Sequence, residues 1–297
     1  MKIARFYFKN REYYGFILNN IAMDFNKESR ILNIKINKEI LDFISNEKVF
    51  EKIKKKIEKK FIKEKLLKNG YSIEKVKLLA PIPNPPKIIC LGLNYIDHAE
   101  EQNVSVPKEP IIFFKPRTSI IGPYDNIVCP SFVKQLDYEG ELAVIIGKLG
   151  KNIPIEKAMD YVFGYMIMND VSARDIQFSD KQWTRGKSFD TFAPCGPWIV
   201  TKDEIENPHS LKISTYVNNE IRQNSSTEKM FLKIPEIISS LSKVMTLEPG
   251  DIISTGTPAG VGIFMKPEPK LLKNGDIVKI EIEKIGVIEN KVVIEDQ

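Results

Sequence analysis

Apolar residues along this chain fall mostly in short runs of four to seven, separated by turn-forming residues, which is the spacing of strands. Residues 111–114, 142–146, 162–168 and 197–200 are such runs. Leu211-Lys212-Ile213-Ser214-Thr215-Tyr216-Val217 alternates instead, and Asn218-Asn219 behind it predicts a hairpin turn, because asparagine tolerates positive φ. Residues 277–283 alternate again, and Gly286 precedes a last strand. Residues 3–25 predict two or three short strands with a turn near Asn19-Asn20. Helical spacing shows in two places. Val49, Phe50, Ile53, Ile57 and Phe61 recur on one stripe of a Lys-rich segment ending near Gly70. Ile234, Ile237, Ile238, Leu241 and Met245 share one face of a helix over residues 230–245. Many strands with few helices predict a mainly β (α+β) fold, rolled or sandwiched.

Four prolines lie within Pro81-Ile82-Pro83-Asn84-Pro85-Pro86, a stretch that can continue neither a helix nor a central strand. A domain boundary is placed there, with a small N-terminal α+β domain over 1–80 and a larger strand-rich domain over 81–297. The net charge of +5 is modest and demands no polyanionic partner. The Lys-rich helix carries Glu51–Lys55 and Glu64–Lys68 at i,i+4 beside its apolar stripe, so it reads as a docked, solvated helix. Neither nucleic acid nor membrane is expected as a partner. Cys90, Cys129 and Cys195 are widely spaced and form no Cys-x-x-Cys pair, which argues against a disulfide framework or a zinc site and for a reducing cytoplasm. Lys2, Arg5, Lys9, Arg11 and Glu12 break up the N-terminus before a signal-peptide core, and no apolar run approaches the ~20 residues that span a bilayer.

The candidate chemistry centres on Asp137-Tyr138-Glu139-Gly140-Glu141, which runs into an apolar strand. Side chains at i and i+2 of a strand share a face, so Glu139 and Glu141 converge. Asp170, at the end of the 162–168 run, supplies a third carboxylate. Without a nearby His or Cys cluster, such a set suits a hard cation, Mg²⁺, Mn²⁺ or Ca²⁺. Glu-x-Glu by itself is equally a solvated pair or an arginine partner. His98 and Glu101 share a face if their loop is helical, which makes either a general-base pair or part of an acidic surface patch. Lys187 stands between Trp183 and the Phe189/Phe192 pair, where it is either a desolvated cation facing a developing oxyanion or one solvated lysine among many. His209 follows Asn207-Pro208 in a turn and receives no role. The glycines from Gly256 to Gly262 lack Gly-x-Gly-x-x-Gly spacing and no helical pattern follows them, which excludes a dinucleotide fingerprint.

Four blocks in order carry a family resemblance: Cys90-Leu91-Gly92-Leu93-Asn94-Tyr95-Ile96-Asp97-His98-Ala99-Glu100-Glu101, the stretch from Asp137 to Ile146, Asn169 to Asp175 with Gly186-Lys187-Ser188-Phe189-Asp190, and Ser254-Thr255-Gly256-Thr257-Pro258-Ala259-Gly260-Val261-Gly262. Together they resemble the fumarylacetoacetate hydrolase superfamily, in the branch of the fumarylacetoacetate-hydrolase-domain-containing and hydroxyhepta-diene-dioate-isomerase-like proteins. The resemblance implies a mixed β-roll paired as a homodimer, with Mg²⁺ (or Mn²⁺ or Ca²⁺) on Glu139, Glu141 and Asp170. It implies a His98–Glu101 catalytic dyad, an active-site Lys187, and substrate contacts from Arg174, Gln177 and Thr257. Gly140 departs from the bulkier residue usual there, and altered packing or loop flexibility is expected. A small 2-oxo or dicarboxylic acid is the implied substrate. Because a complete water-activating pair is present, the first expectation is hydrolysis of a C–C bond in a 2,4-dioxo acid through a metal-bound enolate. The alternative is an isomerase, tautomerase or decarboxylase acting on oxaloacetate or a hydroxymuconate-type 2-oxo acid.

Overall fold

The computed structural model describes residues 1–36 and 39–295. Strand exceeds helix, 34% against 29%, in the mixed α+β architecture expected of the chain. Twelve strands form one large sheet, whose centre is the run Lys2–Phe8, Ala193–Thr201, Val162–Asn169, Gly140–Ile146, Ile252–Ser254 and Ile88–Gly92. A second sheet of five strands contains Lys212–Val217, Ile277–Ile282 and Gly286–Ile294. The strand Gly140–Ile146, continuously apolar from Leu142 onward, is buried along its whole length, because it is paired on both sides and covered on both faces. Lys212–Val217 keeps the alternation of a strand with one wet face, and Asn218 and Asn219 turn it with φ of 51° and 67°.

The strands before residue 25 fall at Lys2–Phe8, Arg11–Leu18 and Ile21–Asp24. They extend the large sheet, with Lys2 opposite Val200 and Ile3 opposite Ile199. One hydrophobic core therefore runs from Phe25 and Phe43 through to Met166 and Ile199. The Lys-rich segment differs from its sequence reading: it is two helices, Glu47–Ile57 and Lys60–Asn69. Lys59 is extended (φ −73°, ψ 116°) and rotates the second helix out of the first one's stripe. Phe61 thus ends 73% exposed while Leu66 is buried. The helix predicted over 230–245 starts only at Ile234, where Pro235 suits a first turn, and Met245 becomes its C-cap. Three short helices carry site residues: Ile96–Glu101, Arg174–Asp180 and Thr184–Lys187.

Phe43 joins the N-terminal layer to the large sheet. Its ring lies 4.5 Å from Phe25, 6.3 Å from Phe50 and 6.2 Å from Phe163. Phe43→Ala is expected to destabilise the fold by about 3–5 kcal/mol, the cost of an aromatic-sized cavity. The urea midpoint should fall with little change in slope.

Candidate active site

The pairing of Gly140–Ile146 with Val162–Asn169 sets Gly140 opposite Asn169 and Glu141 opposite Met168. Where the ladder ends, the Asp170 N–H donates to the Glu139 carbonyl at 2.9 Å, and the Asn169 side chain accepts from the Glu139 N–H at 3.0 Å. This register brings Glu139, Glu141 and Asp170 together, with one oxygen from each lying within 4.8 Å of the others. All three are buried, Glu141 and Asp170 completely. Gly140 between them is tightly fitted, so of the altered packing or loop flexibility expected there it is the packing that differs. A Cβ there would lie 2.4 Å from Thr215 Oγ1.

Cations interleave with these carboxylates. Lys187 Nζ donates to Glu139 Oε2 at 2.9 Å and to Asp170 Oδ2 at 2.7 Å, over the Phe113 ring. Arg174 reaches Asp137 Oδ2 through Nε (2.9 Å), Glu139 Oε1 through Nη1 (2.6 Å) and Gln177 Oε1 (3.0 Å). It does not pair with its neighbour Asp175, which accepts from the Lys134 N–H instead. Lys115 Nζ donates to Asp170 Oδ1 at 2.5 Å and to the Val171 carbonyl at 3.1 Å. The motif reading missed Lys115. Nothing in its spacing marks it: Lys115 directly follows the strand Ile111–Phe114 and reaches Asp170 only through tertiary pairing. Asp137, also unassigned from sequence, accepts from the N–H groups of Gly262 (2.8 Å) and Ile263 (3.0 Å) and so anchors the glycine loop.

Burial opposes ionisation of Glu139, but the Lys187 and Arg174 cations outweigh it and hold its carboxyl well below the usual range. The reverse holds at Glu141, where burial, then the Asp170 and Glu139 charges, push the carboxyl far up. Lys187 keeps its proton because Asp170 and Glu139 overcome the burial penalty. Glu141 Oε2 accepts from the Ser254 hydroxyl (2.5 Å) and the Gly256 N–H (3.0 Å). Its Oε1 is buried without a partner. An orphaned carboxylate oxygen inside an all-oxygen cluster fits a hard divalent cation, and Glu139, Glu141 and Asp170 are the residues that would hold it.

Six of the predicted residues (His98, Glu139, Arg174, Gln177, Lys187 and Thr257) line one narrow cleft. Glu141 and Asp170 sit beside Glu139 in the carboxylate cluster, and Glu101 orients His98. The helix Ile96–Glu101 places His98 Nδ1 at 3.2 Å from Glu101 Oε2, and Glu101 Oε1 accepts from the Gly260 N–H at 2.9 Å. Gln102 Nε2 lies 2.8 Å from His98 Nε2. With the amide donating there, the imidazole proton sits on Nδ1 and points at Glu101. Arg174 Nη2 is buried and free. Thr257 is more committed than the sequence suggested. Its hydroxyl donates to the Gly140 carbonyl (2.9 Å) and accepts from Gln223 (2.8 Å), tying the glycine loop to the ligand strand. Phe113, Phe178, Trp183 and Phe264 form the apolar walls of the cleft. His209 lies elsewhere, accepting from the Ile234 N–H at a helix start.

The family described as fumarylacetoacetate (FAA) hydrolase C-terminal matches residues 87–293. Over 219 residues the chain is 56% identical to the mitochondrial oxaloacetate tautomerase of Rattus norvegicus, covering 73% of this chain and 70% of that protein. The fumarylacetoacetate hydrolase of Exiguobacterium antarcticum superposes with a TM-score of 0.81 at 38% identity, over 99% of this chain and 100% of that one. The maleylpyruvate hydrolase of Sphingobium sp. SYK-6, solved with manganese(II) and pyruvate, superposes with a TM-score of 0.79 at 31% identity over 100% of both chains.

Divalent cations are expected to raise the melting temperature, and Glu141→Ala to abolish the rise. The sign of its pH dependence follows from Glu141. Its raised proton affinity favours the metal-free fold at low pH, a contribution lost as pH rises through the folded-state value. A cation must displace that proton, so its stabilisation should grow from acid toward mildly alkaline pH. Thermal shifts with Mn²⁺ across a pH series test both points. An unchanged shift in Glu141→Ala would place the ion elsewhere.

Proposed function

The chain belongs to the fumarylacetoacetate hydrolase family, and from that membership and the buried carboxylate cluster we propose that it is a divalent-cation-dependent tautomerase of oxaloacetate or a closely related 2-oxo acid. The observation that carries this choice is the 56% identity to an oxaloacetate tautomerase. The motif reading put C–C hydrolysis first and tautomerisation second; the relatives favour the reverse order. Hydrolysis of a 2,4-dioxo acid stays as the second reading, supported by the His98–Glu101 pair and the likeness to maleylpyruvate hydrolase.

A cation on Glu139, Glu141 and Asp170 would act as a Lewis acid, polarising the 2-oxo group and making the neighbouring C3 hydrogens more acidic. The free Nη2 of Arg174 is placed to bind a substrate carboxylate, with Gln177 orienting the guanidinium. Glu101 accepts from His98 Nδ1–H, so Nε2 is the nitrogen that takes a proton from C3 once the Gln102 amide yields. Returning that proton to the 2-oxygen completes the keto-to-enol exchange, and the reverse sequence regenerates the ketone. Lys187 adds fixed positive charge beside the developing negative charge, already oriented and shielded from water. Phe113, Trp183, Phe178 and Phe264 give the cleft apolar walls against which the carbon skeleton of a substrate can pack.

The proposal extends to a homodimer, supported by the exposed Ile111 and Phe114 on the edge strand Ile111–Phe114. It also extends to a reducing compartment, in keeping with three buried free thiols. The vertebrate relatives are named as mitochondrial, so the cytoplasmic expectation is not carried forward. No helix among the described residues is long and apolar enough to cross a membrane.

Loss of the oxaloacetate enol, followed by ultraviolet absorbance, should be faster with the protein and Mg²⁺ than in buffer. His98→Ala should slow it by about 10²-fold or more, the scale of losing a general base. Lys187→Ala should slow it as well. Pyruvate release from acetylpyruvate is the companion assay. Rapid cleavage of acetylpyruvate without acceleration of the oxaloacetate exchange would replace the tautomerase by the hydrolase.

A further inference from the structure

Each carboxylate of the cluster has at least one oxygen tied to a donor other than Lys187. Glu139 Oε1 is held by Arg174, Glu141 Oε2 by Ser254 and the Gly256 N–H, and Asp170 Oδ1 by Lys115. The Lys115 tether is stiff. Its side chain is fully buried, Nζ lies 2.5 Å from Asp170 Oδ1, and a second bond to the Val171 carbonyl at 3.1 Å fixes the ammonium. Asp170 Oδ2 and Glu139 Oε2 both accept from Lys187 Nζ, at 2.7 and 2.9 Å, so a cation would have to share these two oxygens with that ammonium or displace it.

A carboxylate with one oxygen anchored can offer a cation its other oxygen, but not both at once. That restriction discriminates between hard ions. Ca²⁺ takes about six to eight oxygens and readily binds carboxylates edge-on, whereas Mg²⁺ demands an octahedron at about 2.0–2.1 Å. Resting on the reading that the cluster holds a divalent cation, we propose that Lys115 is a positioning residue that limits Asp170 to single-oxygen ligation and so biases the site toward small six-coordinate cations. Of the three tethers, Lys115 is suited to isolation. Arg174 also lines the cleft, and the Gly256 amide belongs to the backbone, whereas Lys115 contacts Asp170 and a carbonyl.

The test is binding rather than turnover. Dissociation constants for Mg²⁺ and Ca²⁺ are measured on the full chain by competition against Mn²⁺, followed by electron paramagnetic resonance. The wild type is expected to favour Mg²⁺. In Lys115→Met the preference should shift toward Ca²⁺ by about 10-fold or more, the scale on which residues behind metal ligands act. Lys115→Arg retains the ion pair with a wider head, and is expected to keep the fold and give an intermediate ratio. A role through charge alone would instead tighten both ions together in Lys115→Met and leave their ratio unchanged. Wild-type binding of Ca²⁺ as tight as that of Mg²⁺ overturns the proposal, as does a wild-type ratio in every folded variant. Binding of neither ion by the wild type is a separate outcome, and removes the metal reading itself.

Discussion

Buried carboxylates bonded to buried cations are the constraint around which this protein is arranged. Asp137, Glu139, Glu141 and Asp170 lie out of water, as do Lys115, Arg174 and Lys187. An isolated buried ion is so costly that it would change its protonation state or unfold its surroundings. Alternation removes that cost for most members: Lys115 to Asp170, Asp170 to Lys187, Lys187 to Glu139, Glu139 to Arg174, Arg174 to Asp137. Glu141 lies outside this run of ion pairs. Its neighbours are a hydroxyl, an amide and two other carboxylates, so its charge is compensated least. Binding demand is concentrated at that residue, and a dication would meet it.

The fold supplies the rigidity that such an array needs. Glu141 stands on a strand paired on both sides, and Asp170 at the end of the next strand. The glycine loop is held at both ends, by Asp137 accepting the Gly262 and Ile263 amides and by Thr257 donating to the Gly140 carbonyl. The same loop returns to the dyad through the Gly260 N–H on Glu101. Carboxylate cluster and imidazole are therefore fixed relative to each other by backbone contacts. Catalytic geometry depends on such contacts more than on the reacting groups alone.

Much of this was legible in the sequence because strands declare themselves by period. Glu139 and Glu141 at i and i+2 had to share a face, and Asn218-Asn219 had to turn. His98 and Glu101, by contrast, meet only because Ile96–Glu101 is helical, which six residues cannot announce. Lys187, Arg174 and Gln177 were identifiable through family motifs, since a lysine among many has no local signature. Lys115 and the ion pair of Asp137 with Arg174 were illegible for a different reason. They depend on which strand neighbours which, information held in tertiary pairing rather than in spacing. The divided Lys-rich helix shows the same limit at smaller scale. A break at Lys59 needs no glycine or proline when the apolar stripe must rotate to keep Leu66 inside.

The choice between tautomerisation and cleavage turns on water more than on the residues the two reactions share. Both need a polarised 2-oxo group and a base, and both develop negative charge near Lys187. Cleavage also needs a water activated at His98 Nε2 and directed at a second carbonyl. Gln102 lies 2.8 Å from that nitrogen, in the position such a water would have to share. An amide donor there occupies the lone pair that would have to take a proton from such a water. A C3–H acidified beside a polarised 2-oxo group would deliver its proton to the same nitrogen, with the same need for the amide to yield but with no water to be held in place. On the proposed reading, His98 and Glu101 carry a proton between carbon and oxygen, with Gln102 as the group that must yield when they do.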